Sequence, residues 1–194
     1  MADSSTGGFL TPAATPAPIE GDALVNFIQE WIVGVTGISA SLCRPRWQPE
    51  PPNIPKDGTT WLAFGITETE SDTYAVELHD PTANGGKGSS QLRRHEVLEI
   101  SATFYGPEAE TYARLLRDGG QIAQNREVLD QNGFGLVDGG EIRTVPELIK
   151  EKWVMRADLV FHIRRQVVRE YTVFNILSAN GTLDNEHEVD SFNT

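Results

Sequence analysis

Glu99–Gly120 reads EISATFYGPEAETYARLLRDGG, and its apolar period changes halfway. Up to Tyr105 the pattern alternates. Leu98, Ile100, Ala102 and Phe104 fall on one face, and Glu99, Ser101 and Thr103 on the other, which is the two-residue repeat of a strand. After Pro107, Ala109, Tyr112, Ala113, Leu115 and Leu116 form one stripe, the repeat of a helix. Pro107 suits the first helical position. Glu108 and Glu110 favour the positive end of the helix dipole, and Gly119 and Gly120 stop the helix. A half-polar strand turned into a helix by Gly106–Pro107 predicts a sheet with one wet or partner-facing side. Nothing chemically reactive stands at that junction.

Working outward, Asp22 is a good N-cap, and Leu24, Phe27, Ile28, Trp31 and Ile32 follow it at helical spacing. Gly34 and Gly37 end that helix, and Trp31 is read as core because it lies in the stripe. Five prolines in Arg44–Gly58 forbid regular structure and make that segment stiff and extended. TTWLAFGITETESDTYAVELHD, residues 59–80, reads as a hairpin, and residues 81–91 as a flexible loop. Gln121–Gly133 fits a shorter helix with Ile122, Val128 and Leu129 inward. Residues 134–145 form a weaker strand or pair of strands, and Pro146 precedes a linker or single turn. The longest alternation puts Trp153, Met155, Ala157, Leu159, Phe161 and Ile163 on one face, with Arg156, Asp158, His162 and Arg164 on the other. Residues 171–183 read as a final strand.

The order predicts one α+β domain over residues 21–183: a mostly antiparallel sheet with helices packed on one face. Residues 1–20, small and rich in Pro, Ala and Thr, are expected to be a flexible N-terminal arm. Residues 184–194 are expected to be an acidic, flexible C-terminal tail.

Charge narrows the function. The net charge is −12. Residues 1–80 hold 11 acids against 3 bases, residues 81–170 are balanced at 13 of each, and residues 171–194 hold 4 acids and no base. Such a surface repels nucleic acid on average, which argues against a groove reader and suits a wall past which DNA slides. No apolar run approaches the roughly 20 residues of a membrane span, and the N-terminus lacks signal-peptide features. A single cysteine, Cys43, excludes an intramolecular disulfide and points to synthesis in a reducing compartment.

Catalytic constellations are missing. His79, His95, His162 and His187 are far apart and lack metal-ligand spacing, and Cys43 has no nucleophile signature. Gly85–Ser90, GGKGSS, fails as a phosphate-binding loop: the first glycine, due five residues before Gly86, is missing, and Gly88 follows Lys87 where Ser or Thr is required. Asp130–Gly135, DQNGFG, lacks the acidic spacing of a calcium loop. No cofactor, no metal and no enzymatic activity are expected. The basic clusters are Arg44 and Arg46, Arg93 and Arg94, and Arg164, Arg165 and Arg169. With Glu99, these are the candidate contacts to identical neighbours, pairing with acidic segments at 66–80 and 184–190.

The element order, and the F-x-G-x-x-A-x-x-x-A-x-x-L junction at Phe104–Leu116, resemble the tail terminator or neck proteins of long-tailed bacteriophages, over roughly Leu24 to Leu183. The resemblance implies a virion protein, assembled in the host cytoplasm. It also implies a hexameric ring that caps the tail tube and joins it to the head-proximal connector while DNA passes through. Its implied partners are identical subunits, the tube protein, a sheath protein where one exists, and the connector. No catalytic residue carries over. The alternatives are another neck or tail part, such as a head-completion protein or a tube or sheath initiator, and a small hydrolase built on His162.

Overall fold

A computed structural model describes residues 3–5, 7–14, 17–50, 53–149, 151–176, 180–185 and 188–193; residues 149, 180–185 and 188–193 are described by their backbone alone. These residues group into two compact units. One holds 18–75 and 94–167, the other residues up to 17, 76–93 and 168 onward.

In the larger unit α1 spans Gly21–Thr36. Its cap lies two residues earlier than expected: Glu20 takes the cap position without a side-chain bond, and Asp22 sits inside the first turn, where its charge acts on the helix dipole. Gly37 closes the helix at φ 71, its N–H donating to Val33 O. Leu24, Ile28, Trp31 and Ile32 are buried, each contributing about 1.5–3 kcal/mol of transfer energy. Trp31 Nε1 donates to Asn125 O at 2.9 Å, so the one polar atom of this core indole is satisfied.

A short 3₁₀ turn, Ala40–Leu42, leads into β1 (Cys43–Pro45), which pairs parallel with β2 (Trp61–Ser71). The proline-rich segment therefore begins as a strand. Pro45 is tolerated there because an edge strand needs no donor on its outer side. β2 and β3 (Val76–Asp80) do not form the expected hairpin with each other. Both run antiparallel to β4, β2 opposite residues 96–105 and β3 opposite 89–93. The break at residues 72–75 interrupts one line of pairing along β4 and does not reverse the chain.

Reversal comes later, at α2 (Ala83–Gly86), a single turn with left-handed Asn84 and Gly85. β4 then spans Ser89–Tyr105, 17 residues, and so takes in the end of the segment expected to be loop. Its first half, SSQLRRHEV, has no apolar alternation to announce it.

Gly106 makes the junction. Its φ is 106, its N–H donates to Met155 O at 2.9 Å, and a Cβ there would lie 2.6 Å from Thr59 O and 2.8 Å from Thr60 Cα. The next helix, α3, spans Ala109–Gly119 with Glu108 at its cap, so Pro107 lies just before the helix and not at its first position. Glu108 N–H donates to Thr60 Oγ1 at 3.1 Å, tying the helix start to the residue just before β2. Ala109, Ala113 and Leu116 are buried, whereas Leu115 is 46% exposed; the true stripe is narrower than the one read. In α4 (Ala123–Gln131), Leu129 is buried while Val128 faces solvent, because a nine-residue helix turns only one row inward; Ile122, expected inward, sits at the cap before the helix and is exposed.

β5 (Phe134–Asp138) and β6 (Ile142–Thr144) both pair antiparallel with β9 (Arg156–Tyr171). β7 (Glu147–Ile149) and β8 (Lys152–Val154) form a small hairpin where a linker was expected. The break after β8 ends the long alternation: Trp153 is 73% exposed and Met155 46%, while Ala157, Leu159, Phe161 and Ile163 are buried as read. The sheet of this unit runs β1-β2-β4-β9-β5, with β6 also on β9. One face carries Leu62, Phe64, Ile100, Phe104, Leu159, Phe161 and Ile163 into the core with α1, α3 and α4. Trp31–Phe161 and Phe27–Phe134 ring contacts, at 5.9 and 4.9 Å, join helix to strand.

The smaller unit holds β3 and residues 89–93 of β4. Asn175 is its clasp. Its Nδ2 donates to Pro81 O and Gly86 O at 2.9 Å each, and its Oδ1 meets His79 Nε2 at 2.7 Å. The N-terminal segment is bound to it: Ser4 and Ala13 N–H donate to Thr172 O and Glu170 O at 3.2 and 2.7 Å. Of the stretch read as a final strand, residues 177–179 lie outside the described residues. From Asn180 the backbone forms β10 (Asn180–Asn185), which pairs antiparallel with β11 (Glu188–Asn193), so strand pairing extends into the acidic C-terminal segment. His187 lies outside the described residues.

Candidate functional site

The uncovered face of the larger unit's sheet is the candidate. It follows from alternation: each strand that sends one set of side chains into the core sends the other set away from the helices. β4 supplies Glu99, Ser101 and Thr103, β9 supplies Asp158, Val160 and His162, and the β5–β6 region adds Asp138, Glu141 and Arg143. Together with Arg46 and Arg156 they line an open groove of about 550 Å³.

Its charges are mixed and paired. Arg156 reaches Asp158 through Nε and Nη2 at 2.9 Å each, and Glu147 through Nη1 at 3.1 Å. The Asp158 hydrogen bond, before any other cause, raises the Arg156 guanidinium above its ordinary value. Arg46 crosses the face from the proline-rich segment and donates to the Ser101 and Thr103 hydroxyls. Beside it, Trp61 and Tyr105 stack at 4.5 Å, Arg44 lies 5.8 Å over the Trp61 ring, and Arg156 lies 6.0 Å over Tyr105. Burial, more than any neighbouring charge, raises the Tyr105 hydroxyl above its usual range.

His162 tests the hydrolase reading. Its Nδ1 lies 2.9 Å from Asp138 Oδ2, and its Nε2 lies 3.8 Å from Glu99 Oε2. A general base needs one ring nitrogen on a carboxylate and the other on the nucleophile. Here both nitrogens face carboxylates, and Arg46 occupies the Ser101 and Thr103 hydroxyls. The arrangement is a lattice of ion pairs and hydrogen bonds. Among the described residues no cluster of His, Cys, Asp and Glu is placed to hold a metal ion.

Three arginines and four carboxylates share the groove. A strip of mixed sign does not neutralise a phosphate backbone; it suits a protein surface of matching pattern.

The candidate contact residues separate by strand parity. Glu99 and Arg46 lie on the open face, and Arg44 lies beside it over Trp61. Arg164 is exposed on β9 and lines a second groove of about 1010 Å³ with Asp72, His95 and Asp130. Arg165, one residue on, is 9% exposed on the core side, where Nε and Nη2 both meet Glu96 Oε2 at 2.8 Å and Nη1 donates to Ile19 O. Arg94 donates to Ser71 Oγ and Asp72 O at 3.3 and 3.4 Å. Arg93, in the smaller unit, donates to Gln91 Oε1 at 2.9 Å while its buried Nε has no partner among the described residues. Arg169 is half-buried. Sequence reading missed Asp138, Glu141 and Arg143 as members of the face, because their short strands carry too few residues to show a period.

Cys43 takes no part. It is fully buried, and burial pushes its thiol from 9.0 up to about 12. Between these values the unfolded thiol ionises while the folded one keeps its proton, so this group's contribution to stability falls as pH rises from about 9 towards 12. A thiol reagent at pH 8 is expected to leave the native chain unlabelled and to label it fully in guanidinium; rapid native labelling would contradict this burial.

No helix among the described residues is long and apolar enough to cross a membrane. No curated protein matches the chain. The family described as phage neck terminator proteins matches residues 22–188, most of the chain, and the protein belongs to that family.

Proposed function

We propose that copies of this chain close into a hexameric ring that caps the finished tail tube and joins it to the head-proximal connector, leaving a channel for DNA. The family places the chain in the neck or tail of a phage particle in a structural role; the ring, its symmetry and its partners are this proposal. The observation that carries it is the open sheet face. A surface with Glu99, Asp158, His162, Arg143 and Arg46 laid out in both signs suits a neighbour of complementary pattern. Arg44, Arg46, Arg94, Arg164 and Glu99 are the residues proposed to meet neighbouring subunits. A net charge of −12 keeps the wall of a channel from holding phosphates.

Size-exclusion chromatography with light scattering, together with negative-stain imaging of tail tubes mixed with the protein, tests the reading. Rings in solution or density at tube ends are the expected results. A chain that stays monomeric and never decorates a tube end would overturn it.

A further inference from the structure

The smaller unit carries two uncovered features that fit each other across two copies. β3 pairs with β4 on one edge only; among the described residues no strand lies on its other edge. On that free edge Val76 is 57% exposed and Leu78 42%, two apolar residues on one side of a strand with open backbone donors and acceptors. Such an edge is a template for another extended segment. The second feature is the N-terminal segment. It is held to its own unit at Ser4 and Ala13, and between those points Phe9 is 97% exposed. In its own copy, therefore, Phe9 packs on nothing and does not cover β3.

We propose that Phe9 and Leu10 of one subunit dock on the β3 edge of the next, Phe9 against Val76 and Leu78, with the extended backbone beside them pairing to the strand. The inference rests on the ring reading, because the occupant is a second copy. Charge selects this occupant over the chain's other exposed strands. β3 carries Glu77 and Asp80, and the C-terminal hairpin carries four acids and no base in residues 171–194, so the two repel. Residues 4–19 carry no charge at all and can approach an acidic edge without a Coulomb penalty. A head-to-tail contact of this kind uses two different patches and so propagates around a closed ring.

Full-length Phe9→Cys and Val76→Cys chains, made separately, are mixed under mild oxidation and run on a non-reducing gel, both from solution and from particles assembled with the two chains. Cys43 is buried and does not compete. The expected result is a disulfide-linked dimer in the mixture, at least tenfold above either variant alone. Leu78→Cys in place of Val76→Cys, the neighbouring position on the same edge, gives the same outcome. Rings that form without the cross-link would overturn the docking and leave the ring standing. A chain monomeric both in solution and in particles would overturn both.

Discussion

Gly106→Ala is expected to lower the stability of the chain by about 2–6 kcal/mol, read as a fall in the urea midpoint with the slope unchanged. Two penalties act together. The residue holds φ 106, a region an L side chain enters at about 1–3 kcal/mol. The new Cβ would also meet Thr59 O at 2.6 Å and Thr60 Cα at 2.8 Å. Both atoms are backbone of the β2 approach, so no flexible side chain can swing aside, and overpacking of this kind costs about 1–3 kcal/mol more. Neither side can retreat easily, because Gly106 N–H is bonded to Met155 O and Glu108 N–H to Thr60 Oγ1. Pro107→Ala is the control, since Pro107 lies outside the helix and is expected to change stability by under about 1 kcal/mol. A Gly106→Ala chain as stable as the parent would mean that this residue does not fix the angle at which α3 folds back over the sheet.

Glu96→Ala is the second large effect, expected at about 3–5 kcal/mol. Arg165 is 9% exposed and Glu96 receives two of its donors at 2.8 Å. Removing the carboxylate strands a buried guanidinium with only the Ile19 carbonyl left among the partners named here. Replacing both residues with apolar ones of similar volume, Glu96→Leu with Arg165→Met, is expected to recover most of the loss. The exposed Arg114–Glu110 pair, with side chains 62% and 45% exposed, offers the contrast: breaking it should cost at most about 0.5 kcal/mol. A Glu96→Ala chain within 1 kcal/mol of the parent would show that Arg165 is hydrated and not held inside.

That pair also marks how far sequence reading reaches. Alternation assigns faces, and it placed Ile100, Phe104, Leu159, Phe161 and Ile163 inside and Glu99, Ser101, Thr103 and His162 outside. Followed one residue further, the same parity separates Arg165 from Arg164, which a reading by charge alone had grouped together. Alternation does not assign partners. That β2 and β3 both lie along β4, or that His162 meets Asp138 and Glu99, depends on pairings between residues up to 63 apart in sequence, and no local signal encodes these. The first half of β4 is unreadable for a different reason: its two apolar residues, Leu92 and Val97, fall on opposite faces among polar and basic ones, so the period of two is present in the backbone and absent from hydropathy. Apolar character alone places Trp153, Met155, Leu115 and Val128 inward, whereas the structure exposes all four. Their exposure leaves them available at the surface of a phage neck protein.

The most direct measurement is electron cryomicroscopy of the intact particle at a resolution that traces this chain. Several identical copies related by rotation about the tail axis are expected between tube and connector, each with its open sheet face against a neighbouring subunit or the channel. A single copy, or a chain placed away from the neck with a small molecule bound among converging ionisable groups, would contradict the claim that this protein acts by docking to itself.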